Sequence, residues 1–225
     1  ENKKKLFTAR GLKHAIVNLD DPYALSIINS IAKGVEVSTY SINKSIATVH
    51  AEELSLNRHG FEARICTPIG SGIVKGRLIG YFNFSNLLAV TAALLSYLPA
   101  RKEVNIDELC QGISNLKPVN GRMEIIGDSE EITAMVDYAH TPDGLRAALS
   151  GLRDHFEGNI WCVFGCGGNR DKGKRPMMGE IAEKYADRLI IADDNPRKEK
   201  GEEIVQHILS GINNKSAVTV LRDRA

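Results

Sequence analysis

The sequence predicts an α/β protein of two domains, and three observations lead to that prediction. Short apolar runs that fit strands alternate with segments whose apolar residues recur at helical spacing. Residues 49–79 instead show the short alternating runs of an antiparallel meander, which indicates a mixed sheet. A turn-rich junction at 118–121 precedes a strict alternation of strands and helices. We therefore expect one domain over residues 1–118 and another over residues 119–225.

The first domain begins with a β-α-β pattern. Asp20 and Asp21 form an acidic helix cap, Pro22 fits a first turn, and Gly34 ends the helix. In order, the predicted elements are a strand at 14–19, this helix, a strand at 35–40, the meander with a turn at 57–60, and helices at about 86–98 and 106–116.

The second domain has strands that are apolar on both faces, which is typical of a parallel sheet covered by helices on both sides. Its predicted strands are 133–136, 160–164, 189–192 and 218–221, and its predicted helices are 142–156, 176–185 and 202–212.

The overall composition excludes several classes of protein. The 29 lysines and arginines balance 28 acidic residues, so no charge excess favours nucleic acid or an anionic membrane. The apolar runs are too short to span a bilayer. The four cysteines form no CxxC pair, which predicts neither a zinc site nor disulfides. We expect a reduced, soluble, cytoplasmic monomer, and both ends of the chain look like cuts through a larger protein.

Asp194, Asn195, Pro196 and Arg197 follow the apolar strand at 189–192, where ligands of open α/β sheets bind. Arginine holds carboxylates with a planar, two-pronged guanidinium. The segment therefore fits a carboxylate site, although a turn that caps the next helix fits it equally well.

A glycine-rich loop at 165–176 resembles two phosphate-binding patterns and matches neither. Arg170 stands where a dinucleotide fingerprint has its third glycine, and Arg175 replaces the magnesium-binding hydroxyl of a phosphate loop. The loop can still form a flexible anion site in which Arg170 approaches the ligand of Arg197, or it can be a solvated basic loop. Its cationic residues are Arg170, Lys172, Lys174 and Arg175.

The segment at 137–143 also follows a predicted strand. Thr141 and Pro142 are explained by a helix start, whereas Asp137 and His140 favour a ligand-binding role at the strand end.

Several further residues keep two interpretations. Arg122 either reaches a ligand or pairs with Glu124, and Asn83 and Asn86 either cap a helix or bind a nucleobase edge. The lysine run at 3–5 is typical of a solvated, charged surface segment. The remaining histidines show no ligand spacing: His14, His50, His59, His155 and His207.

Taken in chain order, these segments resemble the Mur ligase family. The resemblance implies the C-terminal part of a central ATP-binding domain at 1–118 and an incomplete, Rossmann-like, amino-acid-binding domain at 119–225. The N-terminal domain and the phosphate loop are then outside the sequence. The matching blocks begin at Lys3, Asn18, Asn83, Gly121, Asp137, Gly167 and Asp194.

The resemblance further implies ATP-dependent amide formation in cytoplasmic peptidoglycan precursor synthesis. The resemblance is to the branch of the family that adds meso-2,6-diaminopimelate to UDP-N-acetylmuramoyl-L-alanyl-D-glutamate through an acyl phosphate. Cationic groups and Mg²⁺ then neutralise phosphoryl transfer, and domain closure excludes water. Without a phosphate loop, we expect the isolated chain to be inactive.

The resemblance also assigns roles to residues. Lys3 is the candidate carbamylated lysine and a Mg²⁺ ligand, since a carbamate offers the oxygen donor that a hard cation prefers. The residues implied for ATP are Asn83, Asn86, Arg122 and Asp137. The residues implied for diaminopimelate are Arg170, Asp194, Asn195, Pro196 and Arg197.

Three alternatives compete with this interpretation. Another amide ligase of the superfamily, such as a folylpolyglutamate or cyanophycin synthetase, is disfavoured by the block at 194–197. A nucleotide- or amino-acid-binding module without catalysis is compatible with the sequence supplied. A dinucleotide-dependent oxidoreductase is disfavoured by the missing fingerprint.

Overall fold

The computed structural model describes residues 4–97, 104–127 and 131–222. The chain divides into two compact units, Glu1–Pro118 and Val119–Ala225, which we call unit 1 and unit 2. None of the helices in the described ranges is long and apolar enough to cross a membrane.

Unit 1 contains a five-stranded sheet in the order β1-β2-β3-β4-β5. The pairs β1–β2 and β2–β3 are parallel, while β3, β4 and β5 form the antiparallel meander that the alternating pattern predicted. The elements are α1 (Lys4–Phe7), β1 (His14–Asn18), α2 (Ala24–Ile28), β2 (Glu36–Ser41), β3 (Val49–Asn57), β4 (Gly60–Thr67), β5 (Gly70–Gly76), α3 (Tyr81–Tyr97) and α4 (Ile106–Ser114).

The core of unit 1 lies between the meander and helix α3. Ile65 and Val74 from the sheet and Leu88 from the helix are completely buried. Phe61 meets Phe84 edge to face, with ring centroids 4.8 Å apart, a geometry that adds to the burial of both rings. The meander is thereby fixed on one face by α3, and its other face carries the polar members of each strand.

Two helices of unit 1 differ by more than two residues from their predicted bounds. The second helix, α2, ends at Ile28 rather than near Gly34, and the chain between them continues in turns. Helix α3 begins at Tyr81, not at about Asn86. Gly80, with φ +95°, precedes it and lets the chain turn directly into the helix.

Unit 2 contains a three-stranded parallel sheet in the order β10-β9-β8 and a separate antiparallel pair, β6–β7. The elements are β6 (Glu124–Ile126), β7 (Ala134–Val136), α5 (Pro142–His155), β8 (Trp161–Phe164), α6 (Lys174–Tyr185), β9 (Arg188–Ala192), α7 (Gly201–Leu209), a 3₁₀ turn (Lys215–Ala217) and β10 (Val218–Leu221).

Two expectations for unit 2 were wrong. The strand expected at 133–136 pairs antiparallel with β6 instead of joining the parallel sheet. Helices α5, α6 and α7 all share one core with Cys162 and Ile191, which point to a single face of the sheet. Trp161 and Val163 on the other face are 61% and 63% exposed, so the described helices do not cover both faces.

Candidate functional site

Two loops that follow neighbouring strands of unit 2 are joined at the carboxyl edge of its parallel sheet. The Gly168 N–H donates to the Asn195 carbonyl at 2.8 Å, and Arg197 Nη1 donates to the Gly168 carbonyl at 2.8 Å. Asn169 Oδ1 accepts the Lys198 N–H at 3.0 Å. The structure therefore brings the glycine-rich loop and the segment at 194–197 together, at the edge where ligands of such sheets bind.

The glycines of the first loop are explained by this close approach. A Cβ on Gly168 would lie 1.8 Å from the Pro196 carbonyl oxygen, and one on Gly165 would lie 2.2 Å from the Ala192 oxygen. No side chain fits at such distances, so glycine is required for the loops to touch. The glycines that make this loop resemble a phosphate loop are therefore explained by its close packing on the facing loop.

Beneath the loops lies a buried ion pair between Arg175 and Glu199. The Arg175 side chain is 0% exposed, and its Nη1 and Nη2 lie 3.0 Å from the two carboxylate oxygens. The Asn169 N–H donates to the same carboxylate at 2.5 Å. The hydrogen bonds from Arg175 and, to a smaller extent, from Asn169 lower the pKa of Glu199 to about 2. We call Asn169, Arg175 and Glu199 the loop floor.

The expectation that Arg175 serves as a cation for an external anion is wrong. Its guanidinium is enclosed and held by Glu199, and its Nη1 also lies 3.0 Å from His207 Nδ1. The positive charge of Arg175 is thus paired with the carboxylate of Glu199, a residue distant in sequence, and is not available to a ligand. Lys172 also approaches Glu199, at 3.4 Å.

The two loops also carry three exposed side chains, Arg170, Asn195 and Arg197, which we call the loop rim. Arg197 has φ +51°, a left-handed conformation that is unusual for a residue with a side chain. Its guanidinium contacts the carbonyls of Gly168 and Asn195, which fix its direction. The rim can therefore present a preoriented cation and an amide to a carboxylate ligand.

A second group of predicted site residues lies around the start of α5. The Asp137 carboxylate accepts the N–H of Met123 at 3.0 Å and that of Ala139 at 2.8 Å, and Thr141 caps the helix. Arg122 lies 4.9 Å from the centre of the Tyr138 ring. Asp137 thus fixes the loop that carries Arg122 and Tyr138.

The carboxylate of Glu124 accepts the Gly121 N–H at 2.6 Å, whereas Arg122 lies over the Tyr138 ring. Lys174 Nζ donates to the His140 carbonyl at 2.6 Å and so connects this loop to the glycine-rich loop. His140 therefore contributes its main chain to the arrangement, a role that its side-chain chemistry did not suggest.

In unit 1, both asparagines lie inside α3, and neither occupies the N-cap position. Asn83 Nδ2 donates to the Ile79 carbonyl at 2.8 Å, while Asn86 is exposed. Lys3, the predicted metal-binding lysine, lies outside the described residues.

Comparison with known proteins gives two family matches along the chain. Residues 1–94 match the Mur ligase middle domain, and residues 121–225 match the Mur ligase glutamate ligase domain. A curated relative from Alkalilimnicola ehrlichii, named UDP-N-acetylmuramoyl-L-alanyl-D-glutamate–2,6-diaminopimelate ligase, is 42% identical over 226 residues. The alignment covers 100% of this chain and 44% of that protein, so the chain spans less than half of the relative's length.

Solved structures give the same picture. A structure of a ligase with that same name matches with a TM-score of 0.63 and 35% identity, over 99% of this chain and 45% of the other. The folylpolyglutamate synthase of Mycobacterium tuberculosis, solved with ADP and AMPPCP, has a TM-score of 0.75 over 98% of this chain and 48% of its own. At 16% identity, it shows a shared fold only. From the two family matches and these relatives, we conclude that the chain belongs to the Mur ligase family and carries middle-domain and C-terminal-domain sequence of that family.

Proposed function

We propose that this chain forms part of an ATP-dependent ligase that adds meso-2,6-diaminopimelate to UDP-N-acetylmuramoyl-L-alanyl-D-glutamate. The observation that carries the proposal is the loop rim, where Arg197 is fixed in direction and exposed beside Asn195. The names of the relatives that are about 40% identical over the whole chain support the same substrates. The cytoplasm, where such nucleotide-linked precursors are made, is the proposed location.

The rim suits this amino acid because diaminopimelate has a carboxylate at each end. Arg197 presents a planar fork that can bind one carboxylate through two parallel hydrogen bonds. Asn195 adds a group that both donates and accepts, and Arg170 adds a second positive charge from the facing loop. Asp194 and Pro196 shape the segment, since the Pro196 carbonyl packs on Gly168. Lysine lacks the distal carboxylate and would leave the Arg197 fork without its partner.

The residues proposed for ATP fit a nucleotide in their chemistry. In unit 2, Asp137 is a fixed carboxylate that can accept hydrogen bonds from ribose hydroxyls, and Arg122 offers an exposed guanidinium for phosphate. In unit 1, Asn86 is the better candidate for the nucleobase, because the amide nitrogen of Asn83 is already bound to Ile79. When bound, ATP supplies the phosphoryl group that activates the acceptor carboxylate.

Magnesium is proposed on the family resemblance through a carbamate on Lys3. Because Lys3 lies outside the described residues, we derive no step through the ion. The described residues of the rim bind and orient the amino acid, so that its amine is held for attack on the activated carboxylate.

The test is Arg197→Ala in the complete enzyme, with both substrates varied in steady-state kinetics. We expect KM for diaminopimelate to rise roughly 100-fold, the cost of losing a charge-assisted pair, and KM for ATP to change little. Lys198→Ala, which removes the neighbouring exposed cation, is the matched control and should leave both constants near the wild-type values. An unchanged KM for diaminopimelate in Arg197→Ala would refute the assignment of the rim.

The 225-residue chain by itself is expected not to hydrolyse ATP or form the amide. Its sequence lacks a glycine-rich phosphate loop that ends in Lys-Ser or Lys-Thr, the usual cradle for the phosphates of ATP. A phosphate-release assay with the purified chain and both substrates measures this directly. Amide formation by the chain alone would contradict the prediction.

A further inference from the structure

We propose that His50, Glu52 and Cys66 of unit 1 form a binding site for a zinc-class transition-metal ion. Their ligand atoms all lie within 4.8 Å of one another. This site is distinct from the loop rim and does not depend on the proposed ligase activity. No spacing along the chain indicates this site, because its ligands come together only in the folded sheet.

The pairing of β3 with β4 brings the three side chains to one face of the meander. His50 and Glu52 are two residues apart on β3, so their side chains point the same way. Cys66 lies directly opposite His50 in the antiparallel register. Ile65 and Ala51, the neighbouring pair, point to the other face, where Ile65 is completely buried in the core.

The imidazole is already oriented for a metal. His50 Nδ1 lies 3.1 Å from the Ala47 carbonyl, which can only accept, so this contact holds the ring and leaves Nε2 to act as the metal ligand. A histidine that ligates a metal typically makes this second contact through its other ring nitrogen. Nε2 faces the other ligands, since it lies 3.7 Å from Glu52 Oε1.

Binding requires the ligand atoms, which lie within 4.8 Å of one another, to draw closer by up to about 1 Å. Tetrahedral Zn²⁺ bonds of about 2.0–2.3 Å place ligand atoms about 3.3–3.6 Å apart. The 3.7 Å between His50 and Glu52 is close to that spacing, and the Glu52 side chain is 48% exposed, so it can move inward. A register irregularity in β3 between Glu52 and Ser55 interrupts the pairing with β4 next to this ligand.

The donor set selects the class of metal. A thiolate, an imidazole and a carboxylate suit Zn²⁺, whereas Mg²⁺ and Ca²⁺ prefer oxygen ligands only. The thiolate and the carboxylate together balance the charge of a divalent ion. Arg64, which stands opposite Glu52, directs its guanidinium to Glu53 at 3.8 Å. Three protein ligands leave the fourth position to water.

Cobalt titration of the metal-free 225-residue chain tests the proposal. A thiolate-to-cobalt absorption band in the near ultraviolet should reach saturation at one equivalent of Co²⁺, and Zn²⁺ should displace it. Cys66→Ser should abolish the band, while Glu52→Gln and His50→Gln should keep the band and weaken binding at least about 10-fold. Cys110→Ser and His59→Gln, which change a thiol and an imidazole elsewhere in unit 1, should bind like the wild type.

A second readout covers the case in which a variant folds poorly. Because a metal that binds the folded state stabilises it, Zn²⁺ should raise the Tm of the wild-type chain and of Cys110→Ser. It should raise the Tm of Glu52→Gln, which retains the thiol, by a smaller amount. Absence of a saturable band in the wild type, or its persistence in Cys66→Ser, would overturn the proposal.

Discussion

The loop floor and the loop rim each contain an arginine, and the two have opposite surroundings. Arg175 in the floor is 0% exposed and binds both oxygens of Glu199. Arg197 in the rim is exposed and is oriented by main-chain carbonyls. A guanidinium that is enclosed with its own carboxylate stabilises the loops, whereas one that is fixed in direction and exposed can meet a ligand. Burial and partner, not residue type, separate the two roles.

Removal of the floor arginine should give the largest effect on stability. Arg175→Met keeps much of the side-chain volume but leaves Glu199 without its cation, and we expect a loss of roughly 3 kcal/mol in the free energy of unfolding. Arg197→Met is the comparison variant: it removes the exposed guanidinium with its bond to the Gly168 carbonyl and should cost about 1 kcal/mol. Urea unfolding followed by fluorescence of Trp161, the single tryptophan of the chain, reports on unit 2. Equal losses in both variants would remove the distinction between floor and rim.

Substitution of Gly167 and Gly168 tests whether close packing of the two loops positions the rim. Gly168→Ala places a Cβ 1.8 Å from the Pro196 oxygen, so the backbone of the facing loop must move. Gly167→Ala places it 2.8 Å from Arg197 Nη1, the end of a flexible side chain. In the complete enzyme, we expect KM for diaminopimelate to rise more in Gly168→Ala than in Gly167→Ala, with a lower Tm only in Gly168→Ala. The reverse order in KM would contradict the close packing of the loops.

The smallest expected effect is a dependence of stability on acid pH. The folded-state pKa of Glu199 is about 2, below the ordinary value of 4.5, because Arg175 and Asn169 bind the ionised form. Its contribution is therefore fully present above about pH 4.5 and is lost as the pH falls towards 2. Asp187 and Glu183 also have lowered pKa values and act with the same sign.

Glu199→Gln isolates the contribution of the floor carboxylate. The difference in urea midpoint between the wild type and this variant should shrink between pH 5 and pH 3, while the slopes due to the other two carboxylates cancel. A difference that stays constant over this range would show that Glu199 does not titrate with a lowered pKa.

The sequence was sufficient where a local pattern has a single structural outcome. The meander followed from its period of two, and Thr141 with Pro142 marked the start of α5 correctly. The block at 194–197 was placed at a strand end, and the structure puts it there. Its role as the diaminopimelate site stays a prediction.

The rest depended on contacts between residues distant in sequence. The partner of Arg175 is 24 residues away, so nothing in the glycine-rich loop itself distinguishes this arginine from a ligand-binding one. The strand at 133–136 is too short for its pattern to separate parallel from antiparallel pairing. The cluster of His50, Glu52 and Cys66 exists only through the register of two strands.

The left-handed backbone of Arg197 has a consequence for how this position changes over time. At φ +51°, glycine or asparagine is preferred to arginine by about 1 kcal/mol, so folding alone does not select the residue found there. Replacement is opposed by the hydrogen bonds of its guanidinium to the Gly168 and Asn195 carbonyls and by the ligand role proposed for it. Under the proposed role in amino-acid binding, gene copies that lose the ligase activity should therefore lose arginine here early and drift towards glycine or asparagine, while Arg175 persists for as long as the domain folds.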